Sequence, residues 1–193
     1  MPRALEFDEE EILKKAMILF WQKGYHDTSI KDLIDFLGIS NASIYNTFGG
    51  KKQLFERAFA LYRNSNYEGL KQFLNTQRDV RQGLKRVFHK IITDDSNDPD
   101  CKGCFIVNTT AELVPHDLSI QKAVEQNKLK NEKLFFDFLQ KGADAGQIAA
   151  SKDLNMIAHL LYTFMMGLRV VGKTKPDQAE LMASVEGILA ILD

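Results

Sequence analysis

A chain of 193 residues, 45% hydrophobic and 26% charged, is long enough to bury a sizeable core and too apolar to be disordered. Its formal net charge of −1 excludes recognition through a broad basic surface, and residues 1–63 alone balance nine Lys or Arg against nine Asp or Glu. Two cysteines exclude a disulfide framework.

The first residues, MPRALEFDEEE, are acidic where an export signal is basic and then apolar. The most apolar run, Leu160 to Leu168, stops at Arg169, short of a bilayer span. The expectation is a cytoplasmic protein with reduced thiols and no membrane partner. Cys101-x2-Cys104 would need two more ligands to hold zinc, and His26, His89, His116 and His159 are scattered singly. Both thiols read as structural, with a redox or metal role as the rival; no metal and no cofactor are expected.

In chain order, Phe7 to Lys23 predicts a first helix with Ile12, Ala16, Leu19 and Phe20 inward and the run Asp8–Glu11 at its positive end. Gly24 ends it, Trp21 sits at the core edge, and Tyr25 packs under the next turn. Thr28 is expected to cap a second helix whose Ile30, Leu33, Ile34 and Leu37 share one face. Gly38 follows, where the chain needs positive φ. Ser40 then caps a short helix, Asn41 to about Thr47, with Ile44 inward, Phe48 just beyond, and small or polar groups elsewhere. Two short helices meeting at a glycine, the second thinly apolar and compact, read as a helix-turn-helix.

After Gly49-Gly50, Lys51 opens a helix to about Asn75, and Asp79–Thr93 forms another. Asp94–Asp100 reads as an exposed acidic loop. Gly103–Leu113 has strand-like composition, but a lone strand has no pairing partner, so a helix ended by Pro115 is expected. Asp117–Gly142 is a long helix. Ser151 is expected to cap Ser151–Val171, which is apolar on two sides and so buried on two sides. A last helix starts near Pro176. The fold class is all-α, with about nine helices: a three-helix helix-turn-helix domain over residues 1–50 and a helical bundle over 51–193.

The pattern Phe20-x3-Gly24-Tyr25-x2-Thr28, then Gly38-Ile39-Ser40-x2-Ser43-Ile44-Tyr45-x2-Phe48-x2-Lys51-x2-Leu54-Phe55, closely resembles the tetracycline-repressor family. The likeness is dense across residues 8–60. Beyond residue 63 it rests on helix order and on the Gly103-Cys104…Asn108 segment. It implies a DNA-binding transcriptional regulator that is not an enzyme, a homodimer through its last two helices. It further implies a repressor that leaves a palindromic double-stranded operator when a small, mostly apolar effector binds. Thr28, Tyr45 and Lys51 then look like phosphate contacts; Asn41, Ala42, Ser43 and Asn46 face bases, beside the cap Ser40. Lys52 replaces a usual Glu and adds positive charge next to Lys51. Arg3 reads as part of a disordered tail, with a groove-reaching arm as the rival.

Aromatic and polar side chains after the reading head suggest pocket walls: Phe59, Tyr62, Phe88, Phe105, Asn108, Thr109, Glu112, Phe135, Phe138, His159 and Tyr162. The dimer face is expected at Leu160, Phe164, Gly167, Val171, Met182, Val185 and Leu189. A helical scaffold without operator function, and a small helical enzyme, stay open as alternatives.

Overall fold

The computed structural model describes residues 7–193. Arg3 lies outside the described residues. Among the described residues nine α-helices follow one another: α1 Glu9–Lys23, α2 Ile30–Leu37, α3 Asn41–Ser43, α4 Lys51–Asn75, α5 Val80–Ser96, α6 Phe105–Leu113, α7 Leu118–Asp144, α8 Leu154–Val171 and α9 Gln178–Leu189. A π turn, Ile44–Phe48, continues α3. No strand occurs among the described residues, so the Phe105–Thr110 run is helical.

Short polar side chains launch most of these helices by accepting their first free N–H groups. Asp8, Ser29, Ser40, Asp79, Asp117, Asp153 and Asp177 each do so. Three expectations are corrected. Ser29, not Thr28, caps α2: its hydroxyl accepts from Asp32 N at 3.0 Å, while the Asp32 carboxylate accepts from Ser29 N at 2.8 Å. Asp153 displaces Ser151 at α8, because one carboxylate reaches both Asn155 N and Met156 N. Asp177 caps α9, which therefore starts two residues after Pro176. The acidic loop is also shorter than expected, since α5 runs on through Asp94, Asp95 and Ser96.

Two apolar clusters fill the interior. The first joins α1, α2, the π turn and the first half of α4, and it is closed by Phe105, Ile106 and Leu113 of α6 and Ile120 of α7. Its centre is a chain of edge-to-face rings: Phe20 on Phe55, Phe55 on Phe105, Phe105 on Tyr62, Tyr62 on Trp21. The second cluster joins the end of α4 to α5, α7, α8 and α9. The first cluster runs through Gly50–Lys51 without a break, so α4 belongs to both cores.

Glycines let α5 and α7 touch. A Cβ on Gly142 would fall 2.4 Å from Val80 Cγ2, and one on Gly83 would fall 2.7 Å from Phe138 Cζ. The segment Leu154–Thr174, α8 and its following turn, is 21 residues of mean hydropathy 1.4, longer than the apolar run in the sequence indicates. Length and composition alone would let it cross a membrane. Its Ile157, Ala158, Leu161, Met165 and Leu168 are instead packed in the bundle core.

Candidate nucleic-acid interface and bundle cleft

Gly38 takes the left-handed conformation at φ 70°, which turns the chain from α2 into the reading segment. Ser40 accepts from Ser43 N at 3.1 Å and its hydroxyl meets that of Ser43 at 2.9 Å. The reading segment is not the regular helix expected: one α turn is followed by the π turn. Ile44 and Phe48 are buried beneath it. Asn41, Ala42, Tyr45 and Asn46 are exposed and Ser43 is half-exposed. Arg57 of α4 braces the far end, with its guanidinium over Phe48 and a 3.4 Å hydrogen bond to the Thr47 carbonyl.

Tyr45, 53% exposed, lies against Gly50, where a Cβ would sit 3.1 Å from its ring. Lys51 opens α4, whose start has no side-chain cap. Its ammonium stands 4.3 Å from the centre of the Tyr25 ring, and partial burial pulls its pKa down.

Two expectations at this surface are corrected. Thr28 has no exposed surface, and its hydroxyl donates to the Gly24 carbonyl at 2.6 Å, so its side chain cannot meet a phosphate. Lys52 adds no free charge, because Asp117 of α7 holds its ammonium at 2.9 Å. Among the described residues of the head, Lys14, Lys15, Lys23 and Arg57 are likewise paired with carboxylates, while Lys31 and Lys51 have none within ion-pair distance. Near-neutral composition thus resolves into ion pairs plus two cations, Lys31 and Lys51, outside them.

A cleft of about 260 Å³ opens among α4, α5, α6, α7 and α8. Leu70, Phe73, Val87, Ile91, Ile106, Met165 and Met166 make it apolar; Asn127, Asn131, Cys104 and Arg169 supply its polar wall. Exposed Ser65, Asn66, Lys90 and Asp94 surround its mouth. A second, polar cleft shares Asn66, Asp94 and Arg169 with it and reaches Trp21, Tyr62, Asp95 and Lys102. Arg169 stands between the two and donates to Asp95 at 2.6 Å.

Of the walls expected from sequence, Tyr62 alone borders one of these two clefts. Phe59 and Phe105 belong to the first apolar core, and Phe88, Phe135 and Phe138 to the second. Tyr162 is buried beside Asn127, and desolvation pushes its hydroxyl up to about 12. Asn108 is held by the Lys102 carbonyl and by Lys173. Thr109 is buried with its hydroxyl unpaired. His159 lies outside with Glu132, and Glu112 serves the head. Missed residues had a faint signal: Asn127 and Asn131 share a helix face four residues apart, and Arg169 interrupts an apolar helix.

The expected dimer face needs correction at two positions. Val185 and Leu189 are fully buried in the protomer core. Phe164 packs edge-on against Phe88, while Leu160 and Met182 are half-buried. Gly167 and Val171 of the expected face are exposed on the outward side of α8, beside Met156 and Val170.

A capped helix-turn-helix mounted on a helical bundle is the architecture of a DNA-binding regulator. Residues 12–58 match the model of the bacterial regulatory proteins, tetR family. The chain is 28% identical to the uncharacterized HTH-type transcriptional regulator YezE of Bacillus subtilis, over the whole of both chains. It is 26% identical to the HTH-type transcriptional repressor ComR of Escherichia coli, over 91% of this chain and 84% of that one. A cysteine-substituted form of the TetR family transcriptional regulator CifR, complexed with 26-bp double-strand operator DNA, superposes with a TM-score of 0.87 at 26% identity. That match covers 99% of this chain and 100% of CifR. Residues 12–58 thus carry a tetR-family DNA-binding region, and the whole chain is similar in sequence and fold to DNA-binding transcriptional regulators of that family.

Proposed function

We propose that this protein is a cytoplasmic, ligand-responsive repressor that acts as a homodimer on a palindromic operator. Asn41, Ala42, Ser43 and Asn46 face bases, and Tyr45 and Lys51 meet phosphates. The operator-bound relative supports the first part, and the exposed apolar side of α8 supports pairing of two copies. Two heads on a two-fold axis read half-sites about 34–36 Å apart, one DNA turn, or a multiple of it. The effector is a small, mostly apolar molecule held in the cleft among α4–α8.

One observation carries the link between cleft and DNA. The start of α6 walls the cleft with Cys104 and Ile106, while Glu112 near its other end holds the backbone that leads into α2. An effector that prefers one position of α6 shifts the head by no more than its differential affinity for the two positions. Selection of DNA by the purified protein, followed by mobility shift and sedimentation, tests the reading. A palindrome bound by a dimer, and bound weakly by a Tyr45→Phe, Lys51→Ala double variant, is expected. A protein that selects no sequence is instead a helical binding protein that has lost its operator.

A further inference from the structure

The reading segment and its cap carry no charge: Ser40 to Phe48 reads SNASIYNTF, and the first cation after it is Lys51. Its polar and small groups are hydroxyls, one Ala methyl and two carboxamides. The hydroxyls of Ser40 and Ser43 are joined to each other at 2.9 Å, and that of Ser40 also caps the helix. Asn46 is exposed and stands two residues from each of the buried Ile44 and Phe48. Two residues make about half a turn, so Asn46 lies opposite the core. Ala42, also exposed, precedes it by four residues and shares its face. Asn41 and Thr47 each stand three residues from Ile44, on the flanks that turn back toward the core.

A carboxamide offers an acceptor and a pair of donors side by side. Among the base edges of the major groove, only adenine answers both, with its N6 amino group as donor and N7 as acceptor. Guanine presents two acceptors, N7 and O6, so an Asn oxygen would meet one of them with no proton between. Arg and Lys, the side chains that read guanine best, are absent from Ser40–Phe48. A methyl group makes no hydrogen bond, but it fits against the 5-methyl of thymine. We propose that Asn46 reads an adenine in each half-site and that Ala42 packs on the methyl of a nearby thymine, so the centre of each half-site is A·T. The base assignment rests on the operator reading above.

The two hydrogen bonds run in opposite directions. Asn46 Nδ2 donates to adenine N7, and the adenine N6 amino group donates to Asn46 Oδ1. Residues four apart on a helix hold their Cβ atoms about 5–6 Å apart. Base pairs rise about 3.4 Å, so the thymine lies about one or two pairs from the adenine. Ile44 and Phe48 anchor the segment from below, and Arg57 braces its far end, so Asn46 is presented on a fixed backbone. In a dimer both half-sites carry the same pair of contacts, and a wrong base in each is penalised twice.

The full-length protein selects its site from random DNA, and the bound palindrome is then altered one group at a time. 7-Deazaadenine lacks the N7 acceptor and uracil lacks the thymine methyl, while both keep Watson–Crick pairing. Each adenine of the half-site is replaced in turn and followed by mobility shift. At one position 7-deazaadenine should weaken the parent about fivefold or more and leave the affinity of Asn46→Ala unchanged. Asn46→Arg should move the preference at that pair from adenine to guanine. Uracil about one or two pairs away should weaken the parent and leave Ala42→Gly unaffected. The altered DNA tests the parent protein directly, so a variant that fails to fold does not remove the test. A palindrome bound by a dimer with G·C at the centre of each half-site, or insensitive to 7-deazaadenine at every adenine, overturns the base assignment and leaves the repressor reading standing. So does an equal loss in the parent and in Asn46→Ala. Insensitivity to uracil overturns the part given to Ala42. Selection of no sequence at all overturns the repressor reading and the base assignment with it.

Discussion

Glu112 on α6 accepts a hydrogen bond from the backbone N–H of His26 at 2.7 Å, and its other oxygen accepts from Tyr25 N at 3.1 Å. A side chain from α6 thus grips the turn that joins α1 to α2. Gly24 makes room for it, since a Cβ there would sit 3.0 Å from the carboxylate. Bonds from amides to a charged acceptor are each worth about 1.5–3 kcal/mol, and the lower end applies to this half-exposed site. Glu112→Ala is expected to lower stability by about 2 kcal/mol. Denaturant unfolding checks this. In operator titrations the variant should bind more weakly, because the head loses its set angle; an unchanged affinity removes α6 from the path.

Lys51 and Tyr45 differ in how salt reports them. Each phosphate contact made by a cation contributes about −0.9 to the slope of log K against log salt. Lys51→Ala should flatten that slope by about 0.9 per protomer, whereas Tyr45→Phe should weaken binding with the slope intact.

Proton linkage gives Lys51 a second signature. Burial lowers its folded pKa, so the charged form is disfavoured and is lost sooner than in an ordinary lysine as pH rises. Operator affinity is expected to fall on the alkaline side, and Lys51→Arg, charged throughout, should remove that fall. Mobility shifts at a series of alkaline pH values decide it.

Asp117 joins the two halves of the molecule: it caps α7 and holds Lys52 of α4. Hydrogen bonds from Ser119 and Lys52 keep its carboxyl well below the usual carboxylate range. A depressed folded pKa stabilises the fold above the unfolded value and loses that contribution as pH falls through the ordinary Asp range and below. Asp117→Asn should therefore be less stable than the parent at neutral pH, with the gap closing in acid. Thermal unfolding across pH 3 to 7, roughly the span that brackets ordinary carboxylates, measures it.

Two glycine replacements should move stability in opposite directions. Both positions lie within helices, where Ala is intrinsically better by about 0.5–1 kcal/mol. At Gly69 a Cβ meets nothing within 4 Å, so Gly69→Ala should stabilise by that amount. At Gly142 it would overlap Val80, and overpacking of about 1–3 kcal/mol outweighs propensity. Thermal melts of the two variants give the signs directly.

These contrasts mark where sequence reasoning held. Apolar spacing placed the body of α2, and with the Gly49-Gly50 turn that of α4, and named the buried face of α1, because periodicity records which side of a helix is inside. It does not record which helix lies opposite. Phe59, Phe88 and Phe135 looked like pocket walls because aromatic residues on a helix face serve cores and ligands alike; the three-dimensional stack settles each in a core. Caps failed for a related reason. Ser151 and Asp153 are both good N-caps two residues apart, and backbone geometry chose between them. The paired state of Lys52 was invisible because Asp117 is 65 positions away and meets it through tertiary packing.

The first apolar cluster carries a consequence for modularity. Its helix-turn-helix portion is finished by Phe105, Leu113 and Ile120, contributed from far along the chain. A transplant of residues 1–50 into another scaffold would arrive with an unroofed interior and would borrow whatever surface it met. The portable unit includes the first half of α4, α6 and the opening turn of α7, which together close its interior.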